Sequence, residues 1–152
     1  MNRLIYTLLN LVWGLWFGGL IMLFLAVQWL FKAFADNHAT AGVGASSIFQ
    51  HFNQYRLGLA AAAVLLTAFA WLGNRRPIHL VLFILFALAV LAACYTSAVI
   101  APQIETLRLQ GLTHTDHFRH LHGKSMAIYM VEALFVLAAG LVLPTAYPPR
   151  TV

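Results

Sequence analysis

The chain has 152 residues, of which 62% are hydrophobic and only 9% charged, and its formal net charge is +5. A soluble domain carries roughly 25% charged residues, so most of this surface must face lipid rather than water. The basic residues are dispersed without aromatic interleaving, which argues against nucleic acid as a partner and for loops lying against anionic headgroups. The single cysteine, Cys94, excludes an internal disulfide framework and a CxxC zinc site.

A membrane-crossing helix needs about 20 mostly apolar residues. The first such stretch runs from Leu4 to Phe31. It is too long for a signal-peptide core and is read as a retained helix. The second runs from Tyr55 to Leu72 and the third from Ile78 to Ile100. The fourth covers 119–143, its apolar part beginning at Ser125 and ending at Leu143. Gly73, Asn74, Arg75, Arg76 and Pro77 make a tight turn, so the second and third helices are expected to be antiparallel neighbours. Pro102 is expected to end the third span, and Pro144, Pro148 and Pro149 the fourth. The pattern predicts an all-α fold, one membrane domain over 1–152 built as a bundle of four transmembrane helices.

Both long connections, Lys32–Gln54 and Ala101–Lys124, fall on one side of the membrane and both termini on the other. Arg3, Arg75, Arg76 and Arg150 flank the terminal side; Lys32, Arg56, Arg108, Arg119 and Lys124 are assigned to the loop side. The dense Arg75-Arg76 pair favours termini in the cytoplasm, and in a bacterium the membrane would be the inner one. Trp13, Trp16, Trp29 and Trp71 include interface anchors, with Trp29 and Trp71 near span ends.

The last helix carries the most informative pattern. His122, Ser125, Tyr129 and Glu132 fall at i, i+3, i+7 and i+10, on one face. Glu132 is the sole acid within a span, and such a residue costs about 2.5–3.5 kcal/mol at mid-bilayer unless it faces inward and finds a partner. Two readings stand: a buried polar track holding a proton, a metal or a cofactor, or a hydrogen-bonded helix contact. On the first helix Asn10, Gly14, Gly18, Ile21 and Gln28 share a face, expected to pack against another helix through its small residues and amides. His114, His117, His120 and His122 crowd beside Asp116. Imidazoles at these spacings suit a transition metal or haem iron; the alternative is a solvated, histidine-rich loop at headgroup level. No GxSxG, phosphate-loop or HExxH motif occurs, so binding or transport is favoured over catalysis.

Three segments carry a family resemblance. Phe31-Lys32-Ala33-Phe34 with Ile48-Phe49 and Tyr55, Pro102 after the third span, and Phe118-Arg119-His120-Leu121-His122-Gly123-Lys124-Ser125 together resemble the transmembrane protein 205-like family, in bacteria the domain of unknown function 4149. The resemblance spans nearly the whole chain on short motifs. It implies four helices and a role for His122 and Ser125, but no activity. Tyr129 and Thr96 stand where that family often has asparagine. Copper-resistance D and HemJ-type haem proteins are similar only by fold-level analogy.

Three functions follow as expectations. The first is handling or transport of a metal ion, haem or small solute through the His122–Glu132 face. The second is a membrane scaffold assembling through helix faces such as Gly14–Gly18, with a second copy of the chain as an expected partner. The third is a haem-binding oxidoreductase using His122.

Overall fold

The computed structural model describes residues 2–147. Its elements are α1 (Asn2–Ala33), α2 (His38–Gly73), α3 (Pro77–Tyr95), a π-turn (Thr96–Ile100), α4 (Ala101–Leu109), α5 (Asp116–Val142) and a 3₁₀ turn (Leu143–Ala146). No strand occurs among the described residues, and four helical rods are long and apolar enough to cross a membrane. The chain is an integral membrane four-helix bundle. Pro148, Pro149 and Arg150 lie outside the described residues.

The rods overrun the bilayer. At 1.5 Å per residue, the 36 residues of α2 span about 54 Å, against a hydrocarbon core of about 30 Å. The excess stands on the loop side. The connection expected over Lys32–Gln54 is therefore not a loop: only 34–37 join α1 to α2. The Asn37 side chain accepts the Thr40 amide and starts α2 seventeen residues earlier than the apolar run. Helix His38–Gln54 needs no apolar length because it is packed on one face, through Ala41 and Ala45, and wet on the other.

Pro102 does not end the third rod either. An internal proline normally clashes with the carbonyl four residues back. Here the helix is widened by one extra residue just before it. The Ala101 amide reaches back five residues to Thr96, and helix resumes with Pro102 in its first turn. The rod ends later, at Gly111, whose φ of +72° lets its amide and that of Leu112 turn back onto the Arg108 and Leu107 carbonyls. Thr115 then caps α5 by accepting the Phe118 amide. Pro144 falls in the closing 3₁₀ turn, as its expected role requires.

The core face of α1 is Tyr6, Leu9, Trp16, Leu20 and Leu23, with Trp13 partly buried beside it. It shares one core with Ala60 and Ala63 on α2, Ala89 on α3 and Ala139 on α5, and the alanines of α2 and α5 allow those two helices to approach it closely. Leu65, Leu91, Leu134 and Leu141 are among the most exposed side chains, as a lipid-facing surface demands. Outside the bilayer, Ser46 of α2 donates to Glu105 of α4 at 2.7 Å, and Arg108 grips the same carboxylate with two N–H groups at 2.8 and 2.6 Å.

Candidate functional site

Four helices converge on one ion pair. Arg56 of α2 donates from Nη1 to Glu132 Oε2 of α5 at 2.8 Å, with both side chains wholly buried. Arg56 Nη2 donates to the Ala93 carbonyl at 3.1 Å and to Ser97 Oγ at 2.7 Å, the latter inside the π-turn. Trp16 Nε1 of α1 donates to the other carboxylate oxygen, Oε1, at 2.9 Å. The guanidinium lies 4.5 Å from the centre of the Tyr129 ring, and the Tyr129 hydroxyl donates to Asn53 Oδ1 at 2.9 Å. A guanidinium over an aromatic face gains further electrostatic stabilisation where water is scarce. Only Arg56 Nε among these buried polar atoms has no partner.

Glu132 thus faces inward and has a partner. That partner is Arg56, which the sequence reading had placed among the flanking loop-side charges. Trp13 and Trp16 are likewise not interface anchors: Trp13 Nε1 donates to the Val136 carbonyl at 2.9 Å and Trp16 to Glu132.

The remaining expected residues divide. Ser125 is buried and Tyr129 half-buried, but His122 is exposed and stacked on Phe118. The inward residue of that turn is Leu121. His114, His117 and His120 are exposed too, and among the described residues no three His, Cys, Asp or Glu side chains are grouped closely enough to hold a metal ion. The helical face that brings histidines into register points to solvent, where nothing converges on a shared centre. Gly14, Gly18 and Gln28 also point outward. A Cβ on either glycine would meet nothing within 4 Å, so within the chain they are not packing residues. Asn10 does work inside the bundle: its amide donates to the Tyr6 carbonyl at 2.8 Å and to the Tyr147 hydroxyl.

His122 and Gln28 instead meet at a groove. α1 and α5 pack closely in their terminal halves, where Trp13 covers Gly140. Toward the loop side a cavity of about 740 Å³ opens between them, floored by Phe49 of α2. Its walls are Leu20, Phe24, Gln28 and Phe31 on one side and His122, Tyr129 and Met130 on the other. That volume lies within the range of small-molecule sites. The Tyr129 ring separates the groove from Arg56.

A second polar cluster closes the terminal end. His79 Nδ1 lies 2.6 Å from the Asn74 carbonyl and Nε2 2.7 Å from the Tyr6 hydroxyl. A carbonyl only accepts, so Nδ1 carries a proton, while Nε2 and the Tyr6 hydroxyl share the second hydrogen bond. The Tyr147 ring lies tilted against Tyr6, with centroids 4.9 Å apart, and Arg76 donates to the Ala146 carbonyl at 3.3 Å. Local spacing gives no signal for this pair, because Tyr6 and His79 lie 73 residues apart.

A sequence model for a domain of unknown function, DUF4149, matches residues 11–113, from α1 to the end of α4. The chain belongs to the DUF4149 family. The match holds Trp16, Asn53, Arg56 and Ser97 and stops before Phe118–Ser125, the segment on which the family resemblance leaned most. Glu132, the family match's missing half of the ion pair, lies beyond it on α5. No curated protein and no solved structure matches the chain.

Proposed function

We propose that the chain is a membrane-embedded binding protein that holds a small, largely apolar solute in the groove between α1 and α5. One observation carries this reading: His122, Gln28 and Tyr129 stand on the wall of an otherwise apolar cavity open toward lipid. Ligand sites have that make-up, an apolar lining with a few placed polar groups. Tyr129 would sense the solute directly, with Arg56 and its partner Glu132 behind it as a fixed support. Haem is one solute of suitable size, with His122 as the sole histidine on the groove wall; a bare metal ion is disfavoured by the scattered imidazoles. The test is to purify the full chain, record its absorption spectrum, extract bound molecules with organic solvent and identify them by mass spectrometry. The expected result is a co-purifying apolar compound that is depleted when Ala133→Trp fills the groove. Equal recovery from both proteins rejects the reading.

A second reading, a scaffold assembling with copies of itself, draws support from Gly14 and Gly18 standing outward with open space before them. It expects Gly14→Leu and Gly18→Leu to lower the assembled mass while the monomer stays folded. On either reading we place the termini on the cytoplasmic side of an inner membrane, supported by Arg3, Arg75 and Arg76. Kinship with transmembrane protein 205-like proteins is supported by Phe31-Lys32 and Pro102.

A further inference from the structure

The groove is polar at one end only. Helix geometry orders its walls. Along α1 the lining runs from Leu20 and Ile21 through Phe24 to Gln28 and Phe31; along α5 it runs from Ala133 and Met130 through Tyr129 to His122 and Phe118. The helices are antiparallel, so Gln28 and His122 share the loop-side mouth while Leu20 and Ala133 share the deep end. Ile21, Leu25 and Gln28 make a stripe at i, i+4 and i+7, and the next position on it is Lys32. Lys32 is exposed and forms no salt bridge among the described residues, whereas Arg108 and Arg119 are already paired with Glu105 and Asp116. From Leu20 to Phe31 the apolar wall is about 16 Å long, close to one leaflet of a hydrocarbon core of about 30 Å.

We infer that the occupant of this groove is an anionic phospholipid of the loop-side leaflet, its acyl chain along Leu20–Phe31 and its acidic headgroup at Gln28, Lys32 and His122. The inference rests on the groove being the binding site. A wholly apolar ligand would leave the amide and imidazole of the mouth unused. A cationic one would meet an uncompensated lysine. An acidic headgroup accepts hydrogen bonds from the Gln28 amide and an imidazole N–H and is attracted by the Lys32 ammonium.

The experiment takes the detergent-solubilised full chain with an equimolar mixture of phosphatidylglycerol and phosphatidylcholine of identical acyl chains, and counts retained lipid by native mass spectrometry. The wild type should retain phosphatidylglycerol over phosphatidylcholine by about fivefold, the ratio one lysine contributes against an anionic headgroup. Lys32→Gln should bring the ratio to about one without lowering total lipid. Lys124→Gln should leave it unchanged, because Lys124 is held by the Tyr95 hydroxyl at 2.8 Å on another face. Met130→Trp and Ala133→Trp fill the groove from two positions, one of them lipid-exposed, and whichever unfolds at the wild-type temperature should lose both lipids. Equal retention of the two lipids by the wild type, or an equal fall with Lys124→Gln, overturns the headgroup assignment and leaves the groove standing. Undiminished lipid in a folded groove-filled variant overturns both.

Discussion

Arg56 and Glu132 meet at 2.8 Å in the middle of the bundle with neither side chain exposed, although they lie 76 residues apart on α2 and α5. Removing one partner of such a pair leaves a buried charge uncompensated and costs about 3–5 kcal/mol, while replacing both with apolar residues is often near neutral. The two single variants are not equivalent. A carboxyl left alone can neutralise itself by taking a proton, and a guanidinium cannot. Glu132→Leu should therefore destabilise more than Arg56→Met, and the double variant less than Glu132→Leu. Unfolding in mixed detergent micelles measures all three; additive losses would show that the pair is not coupled.

Gly140 lies under Trp13, so that a Cβ there would overlap the indole ring. Trp13 cannot swing away without giving up its bond to the Val136 carbonyl. Gly140→Ala should cost about 1–3 kcal/mol as an overpacked contact. Gly18→Ala, with open space at its Cβ, should leave the unfolding of the monomer within about 0.5 kcal/mol of wild type. The same micelle titration ranks them, and a silent Gly140→Ala contradicts the α1–α5 packing described above.

The Tyr6 hydroxyl is hydrogen-bonded to His79 Nε2 at 2.7 Å inside the terminal cluster. Tyr6→Phe keeps the ring contact with Tyr147 but strands His79 Nε2, so a loss of about 1–3 kcal/mol is expected. In the Tyr6→Phe background, His79→Leu should cost less than it does alone, since both polar ends are then gone. A double-mutant cycle gives the coupling, and a value near zero would mean the hydroxyl and imidazole do not interact.

The extension of α2 beyond the bilayer can be read by labelling. In a Cys94→Ser background, Val43→Cys should react with a membrane-impermeant maleimide and Leu65→Cys should not, although both side chains are more than half exposed in the bundle. Only lipid distinguishes them. Equal labelling would place both on the same side of the interface.

The four spans were legible because about 20 apolar residues in a row have few other fates. What lay outside that criterion was missed for the same reason: a helix that continues into water becomes polar, and apolar length stops reporting it. Arg56 escaped notice because it sits just before the apolar run Leu57–Leu72 and resembles a flanking charge. A signal was present, since Ala41, Ala45, Arg56, Ala60, Ala63 and Thr67 recur at helical spacing and are the buried residues of α2. On α1 the inward face is Tyr6, Leu9, Trp13, Trp16, Leu20 and Leu23, spaced alternately by three and four. The glycine face favoured by composition lies beside it and looks at lipid. His122 stands one position round from the buried Leu121. In each case composition marks the residue types and leaves the rotational setting of the helix open, because one helix without its neighbours does not fix which face turns inward.

The extra residue of the Thr96–Ile100 turn sets an angular phase between two levels of the molecule. Below it, α3 aims Ala93 at Arg56; above it, α4 aims Glu105 at Ser46. Each residue of an α-helix turns the rod by about 100°. Winding this segment as regular α-helix with every residue kept would swing α4 by that amount and carry the Glu105 carboxylate off the α2 surface, whereas deleting one residue of the turn, such as Val99, would let regular helix run on with Glu105 still toward Ser46. The π-turn therefore acts as an indexing step: it lets one continuous rod satisfy two partners whose directions differ by an angle that regular helix does not supply.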